Sequence, residues 1–129
     1  MDAMLLRPLR NDLEFRAVSA VEAIEVLSSA FTELKIAVPG AKVIVTVSPV
    51  PLLNTFTSSD IVTANTYSKS SLMVAAHVLA EKFNFVDYYP SYEMVTNSPR
   101  STSWAQDQAH VNPQVVDRVI GNFIEKYFD

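Results

Sequence analysis

The residues best suited to chemistry in this 129-residue chain are Asp107-Gln108-Ala109-His110. A carboxylate three residues ahead of an imidazole can accept from one ring nitrogen and leave the other facing a nucleophile. Those are the roles of orienting acid and general base in a catalytic triad. The plain alternative for the same spacing is a surface loop whose aspartate caps a turn. Asn112-Pro113 follows and reads as a helix start, which would tie the loop to a rigid element.

A nucleophile is harder to find. Ser48 ends a β-branched run, where ligands gather in α/β sheets, so it is a candidate for substrate contact. The next residue, Pro49, has no N–H to offer an oxyanion. No glycine flanks Ser48 to build the strained turn that exposes an attacking serine. Ser68-Lys69-Ser70 would place hydroxyls at a helix start, where capping is their commoner use. The absence of cysteine removes a thiol nucleophile, a disulfide framework and a thiolate metal site from these residues. His77 lies off the apolar stripe of its helix and reads as solvated. It forms no ligand-spaced set with His110 or with carboxylates, so no metal is expected. Only two glycines occur, Gly40 and Gly121, so neither glycine-rich phosphate loop can be written and no nucleotide cofactor is expected. Asn65, Lys69, Tyr89 and Glu93 fall near strand ends or helix starts, where a pocket would open, and complete the substrate-contact candidates. Trp104 stands in a polar stretch and is expected to be exposed.

The elements that must position these residues follow from periodicity. Leu13, Val21, Ile24, Leu27, Phe31 and Leu34 recur at helical spacing over about residues 12–34, with Asp12 as N-cap and Pro39-Gly40 as the stop. Residues 42–47 are a β-branched run typical of a strand buried on both faces, closed by Pro49 and Pro51. Residues 54–68 are rich in Ser, Thr and Asn and read as a long loop. A second helix is expected from Ser68 or Ser70 to Lys82, with Leu72, Ala75, Ala76, Leu79 and Phe83 inward. Residues 85–89 form a second short strand, and residues 93–108 read as mostly irregular. The last helix takes Asn112 as N-cap and Pro113 as its first residue. Val116, Val119 or Ile120, Phe123 and Tyr127 share one of its faces.

Helix, strand, helix, strand, helix is a βαβ unit with flanking helices, which predicts an α/β fold with a parallel sheet. Two strands are too few for such a sheet. Either a weak strand is hidden, or something outside this chain completes the sheet, and the second is preferred. Ten Lys and Arg against 14 Asp and Glu leave a net charge of −4, which argues against a nucleic-acid partner. With 49% hydrophobic and 19% charged residues the chain is too apolar for disorder. No apolar run reaches the roughly 18 residues of a membrane span, and Met1 to Arg10 do not resemble a secretory signal. The expectation is one soluble, cytoplasmic domain over residues 1–129.

Four ordered blocks carry a more specific likeness. They are Thr46-Val47-Ser48-Pro49-Val50-Pro51-Leu52, Ala64 to Leu72, Tyr89-Pro90-Ser91-Tyr92-Glu93, and Asp107 with His110. Together they resemble the GSCFA family, which is similar to the SGNH (GDSL-like) hydrolases. The resemblance covers nearly the whole chain from the first helix onward. It implies a flavodoxin-like α/β/α fold in three layers, an esterase or acyl-transfer activity, Asp107 as orienter and His110 as general base. The Gly-Ser-Cys-Phe-Ala stretch for which the family is named is missing, and so are the early strands with their oxyanion donors. The chain therefore resembles the C-terminal half of such a domain, with the sheet incomplete and the nucleophile elsewhere. His110 is followed by Val111 where a proline would be more usual. An inactive base-bearing part of a hydrolase acting on a small-molecule ester is expected. The alternative is a non-catalytic, self-associating domain. Either implies a homo-oligomer or association with a missing N-terminal half. A small-molecule binder without catalysis ranks last.

Overall fold

The computed structural model of the chain describes residues 16–128. The first helix, α1, spans Ala20–Ala37 rather than starting near Asp12, which with Leu13 lies outside the described residues. Its start is set by Ser19, extended at ψ 161°, whose Oγ accepts from the Glu22 N–H at 3.2 Å. Ser19-Ala20-Val21-Glu22 has the spacing of a capping box. The Glu22 carboxylate turns instead to Arg16, at 2.5 and 2.7 Å. The helix ends as expected before Pro39-Gly40, with the Val38 N–H closing on Leu34.

Strand β1 is Val43–Val45 and strand β2 is Val86–Tyr88. They pair in parallel, Val43 with Val86 and Val45 with Tyr88, and form the whole of the sheet among the described residues. Between them runs α2, Ile61–Lys82, which corrects the long-loop expectation for residues 54–68. Asp60 is the reason. Its carboxylate accepts from the N–H groups of Val62 and Thr63, both at 3.0 Å, and from the Thr63 hydroxyl at 2.6 Å. Three otherwise unpaired donors at the helix start are thereby satisfied, which outweighs the weak helix preference of Thr, Asn and Ser in the first turns.

After β2 come two short helices, α3 (Ser91–Thr96) and α4 (Arg100–Ser103), where irregular chain was expected. The last helix, α5, is Pro113–Phe128 and begins as the sequence predicts. Asn112 accepts from the Gln114 N–H through its side chain at 3.1 Å and from Val116 through its carbonyl at 3.1 Å.

Adjacent strand residues point to opposite faces, which sorts the helices into layers. Tyr88 faces α2, where its ring meets His77 at 4.4 Å between centroids, and α1 packs on α2. Asp87 faces α5, accepting from Lys126 at 3.0 Å and Tyr127 at 2.6 Å. Tyr89 continues on that side and packs edge-on against Phe123. The fold is thus mixed α/β with helices on both faces of a two-stranded parallel sheet. Leu79 on α2 and Val95 on α3 are among its most deeply buried side chains.

The two edges of this sheet differ. Val43 donates to Phe85 and Tyr89 to Val45, so the Ile44 N–H and C=O point to the far edge of β1, where no strand lies among the described residues. On the outer edge of β2 the donors are already spent. The Val86 N–H goes back to Phe83 and the Tyr88 N–H to the Asp87 carboxylate. β1 is therefore the open edge and β2 the blunted one. Removing the α1 cap by Ser19→Ala is expected to destabilise the chain by about 1 kcal/mol. Urea denaturation followed by circular dichroism would show it, with Ser19→Asp close to wild type.

Candidate functional site

The Asp107–His110 loop is closed at its neck before any side chain acts. Trp104 bridges Val111 in antiparallel fashion, Ala105 donates to the His110 carbonyl at 2.8 Å, and Asn112 donates to the Ser103 carbonyl at 2.8 Å. Trp104 is buried, only 8% exposed, correcting the expectation of an exposed ring. Its indole anchors the neck.

Within the loop the Asp107 carboxylate does two jobs that the sequence posed as alternatives. Oδ1 accepts from the N–H groups of Ala109 and His110, both at 3.0 Å, which is a capped turn. Oδ2 meets Nδ1 of His110 at 2.5 Å, which is an acid orienting an imidazole. These donors, led by the His110 backbone N–H, hold the Asp107 carboxyl well below the usual carboxylate range. An ionised carboxylate can only accept, so Nδ1 carries the proton of the neutral ring and Nε2 carries the lone pair. Nε2 has no partner among the described residues, and the His110 side chain is 71% exposed. The pair can therefore take a proton from a nucleophile brought to Nε2.

His110 sits on the rim of a cavity of about 370 Å³ between the chain leaving β1, at Pro49 and Val50, and one face of α5, at Val116, Val119 and Ile120. Ser91 also reaches this cavity. Its hydroxyl is already engaged, paired with the Thr46 hydroxyl and 3.2 Å from the Val47 carbonyl, so it ties α3 to the end of β1.

The substrate-contact candidates are spread over the same end of the sheet without converging on His110. Ser48 accepts from the Val50 N–H at 3.3 Å in a local turn. Asn65 lies in the first turns of α2, accepts from the Leu52 N–H at 2.9 Å, and lines a second cavity with Tyr92 and Arg100. Lys69 is buried on α2 without a hydrogen-bond partner among the described residues, and burial pushes its ammonium pKa down. Tyr89 is buried and donates to the Val119 carbonyl at 2.5 Å, pinning α5. Glu93 accepts from the Tyr88 hydroxyl through both oxygens at 2.9 Å. Burial first, and this carboxylate second, push the Tyr88 phenol up. His77 is exposed, as expected, though its ring is in tilted contact with that of Tyr88. No group of three His, Asp or Glu that could hold a metal occurs among the described residues.

Sequence reasoning missed Arg100, which donates through Nε to Gln108 Oε1 at 2.8 Å and through a terminal nitrogen to the Gln108 carbonyl at 3.2 Å. A lone arginine after Ser98-Pro99 carries no signal that it folds back eight residues onto a loop. The cap at Asp60 was readable, as an aspartate directly before an apolar pair.

The family model of the GSCFA family matches residues 7–123, and the chain belongs to that family. No curated protein matches the chain, and no solved structure does. No helix among the described residues is long and apolar enough to cross a membrane.

The depressed Asp107 pKa fixes a pH window. Stability from this carboxylate is complete above its unfolded value, about 4, and is lost only as pH falls through the lower folded value. Carboxyl-carbon NMR should find Asp107 still ionised at pH values where unpaired surface carboxylates have protonated, and His110→Ala should bring its titration back toward them. An Asp107 that titrates with the unpaired carboxylates in the wild type would contradict the pairing.

Proposed function

We propose that the chain is the base-bearing part of a hydrolase-like GSCFA domain. His110 would be the general base, Asp107 the residue that orients it, and the nucleophile would arrive on polypeptide outside this chain. The observation that carries this is the Asp107–His110 pair itself, with Nδ1 committed to the carboxylate and Nε2 open at the loop surface. The corresponding reaction is ester hydrolysis or acyl transfer. As an upstream serine or cysteine attacks an ester carbonyl, Nε2 takes its proton, and the resulting imidazolium is stabilised by Asp107. When the tetrahedral intermediate collapses, the same proton goes to the leaving alkoxide. Water or another hydroxyl, giving its proton to Nε2, then attacks the acyl carbonyl. The bond to the serine or cysteine breaks, the acid or new ester leaves, and the proton on Nε2 returns to the nucleophile. The oxyanion donors would come with the nucleophile, because Pro49 cannot donate after Ser48.

The open edge of β1 supports the other half of the proposal, a flavodoxin-like, SGNH-type sheet completed by added strands. An incoming strand would pair with Ile44 and pass over α5, where Val116, Ile120 and Ile124 stand exposed at four-residue spacing. The blunted β2 would remain the outer edge. The exposed stripe of α5 also favours a second reading, in which copies of this chain cover one another without catalysis.

The isolated 129 residues should neither hydrolyse p-nitrophenyl acetate nor react with a fluorophosphonate probe. Mixing with the upstream half of a GSCFA domain, bearing its Gly-Ser-Cys-Phe-Ala segment, should produce hydrolysis that His110→Ala abolishes. Stoichiometric labelling of one hydroxyl in the isolated chain, Ser91 included, would overturn the proposal. Light scattering at micromolar concentration should show species larger than one chain, and a stable monomer would count against an unfinished sheet.

A further inference from the structure

The turn that joins Asp107 to His110 depends on an unfavourable backbone conformation. Gln108 has φ 57°, the positive value found among the described non-glycine residues, in the left-handed region that glycine takes freely and other residues seldom do. This reversal brings the Ala109 and His110 N–H groups back onto Oδ1 and sets the ring beside Oδ2. Something must hold Gln108 there.

Four hydrogen bonds converge on this one residue. Its own N–H and its side-chain amide both donate to the Ala105 carbonyl, at 3.0 and 3.2 Å. The other two come from Arg100, one to the side-chain oxygen and one to the backbone carbonyl. The backbone contact matters most, because the Gln108 carbonyl belongs to the peptide plane that carries the Ala109 N–H toward Asp107. Arg100 is in turn held from below, with its guanidinium 5.0 Å above the ring of buried Trp104, the anchor of the neck. A planar fork with several donors can grip a side-chain oxygen and a carbonyl together. A lysine ammonium, a compact point charge, holds such a pair less well.

We propose that Arg100 is the positioning residue of the site: by clamping Gln108 in its left-handed turn it keeps Asp107 against Nδ1 of His110 and Nε2 free. This rests on Asp107–His110 being the working pair, and the test separates the two claims.

Long-range proton–nitrogen NMR of the full 129-residue chain at a pH where the ring is neutral reads which imidazole nitrogen carries the proton. In the wild type the Nδ1–H form of His110 should dominate. A wild-type ring mainly in the Nε2–H form would sink the working pair itself. With the wild type as expected, Arg100→Ala should lower the ratio of Nδ1–H to Nε2–H by roughly tenfold, the scale of a lost charge-assisted hydrogen bond. Arg100→Lys should lower it nearly as far. The decisive variant is Arg100→Ala combined with Gln108→Gly. Glycine adopts the turn without a clamp, so the ratio should recover most of the loss. A merely structural arginine would not be rescued in this way. An unchanged ratio in the single variants, or no recovery in the double one, overturns the proposal. If Arg100→Ala fails to fold, Arg100→Lys with and without Gln108→Gly gives the same comparison with the aliphatic stem kept over Trp104.

Discussion

The carboxylate of Asp107 is the contact on which the geometry of the candidate site depends. One oxygen turns the backbone and the other turns the ring, so the loop's shape and the imidazole's chemistry share a single anion. Neither job requires burial. Both residues stand largely in water, where an isolated ion pair contributes little, and the geometry is held instead by short-range hydrogen bonds within one turn. The helix behind the loop adds stiffness. Asn112 and Pro113 start α5 two residues after His110, and Tyr89 and Asp87 fasten that helix to the strand.

The other constraint is the sheet, whose two strands among the described residues leave apolar helix surface uncovered. Apolar side chains remain in solvent on α1 at Val21, on α2 at Val62 and Val74, and along α5 from Val116 to Phe128. Scattered exposed valines are ordinary, whereas the α5 residues Val116, Ile120, Ile124 and Phe128 repeat at four-residue spacing, which is why the proposed function places added polypeptide there. The unequal treatment of the edges gives it direction. Asp87 and Phe83 absorb the outward donors of β2, while Ile44 offers its own to whatever lies beyond β1. Among the described residues the β1 edge is the one that could accept a further strand, and the proposed completion of the sheet is set on that side.

Much of this was legible from residue order. Two β-branched runs around a helix imply a parallel pair, Asn112-Pro113 marks the start of α5, and Asp107 and His110 lie where their spacing suggests. Where the sequence misled, local hydrogen bonding overrode composition. Residues 54–68 look like a loop because they are polar, yet Asp60 caps three donors at once and the helix begins eight or so residues early. Ser19, with Glu22 three residues on, starts α1 well after the apolar period begins. Trp104 looks exposed among Ser, Thr and Gln because pattern cannot foresee a bridge to Val111 that folds it inward. Arg100 was invisible for the same reason, its partner being set by a turn rather than by a period.

The most direct measurement on the central claim is the rate at which diethyl pyrocarbonate modifies His110, followed by mass spectrometry in a chain with only two histidines. An imidazole whose Nδ1 is bound to an anion and whose Nε2 is open should react readily at Nε2, and markedly more slowly in Asp107→Asn. Equal rates in the two proteins, or a wild-type His110 that resists the reagent, would contradict the account.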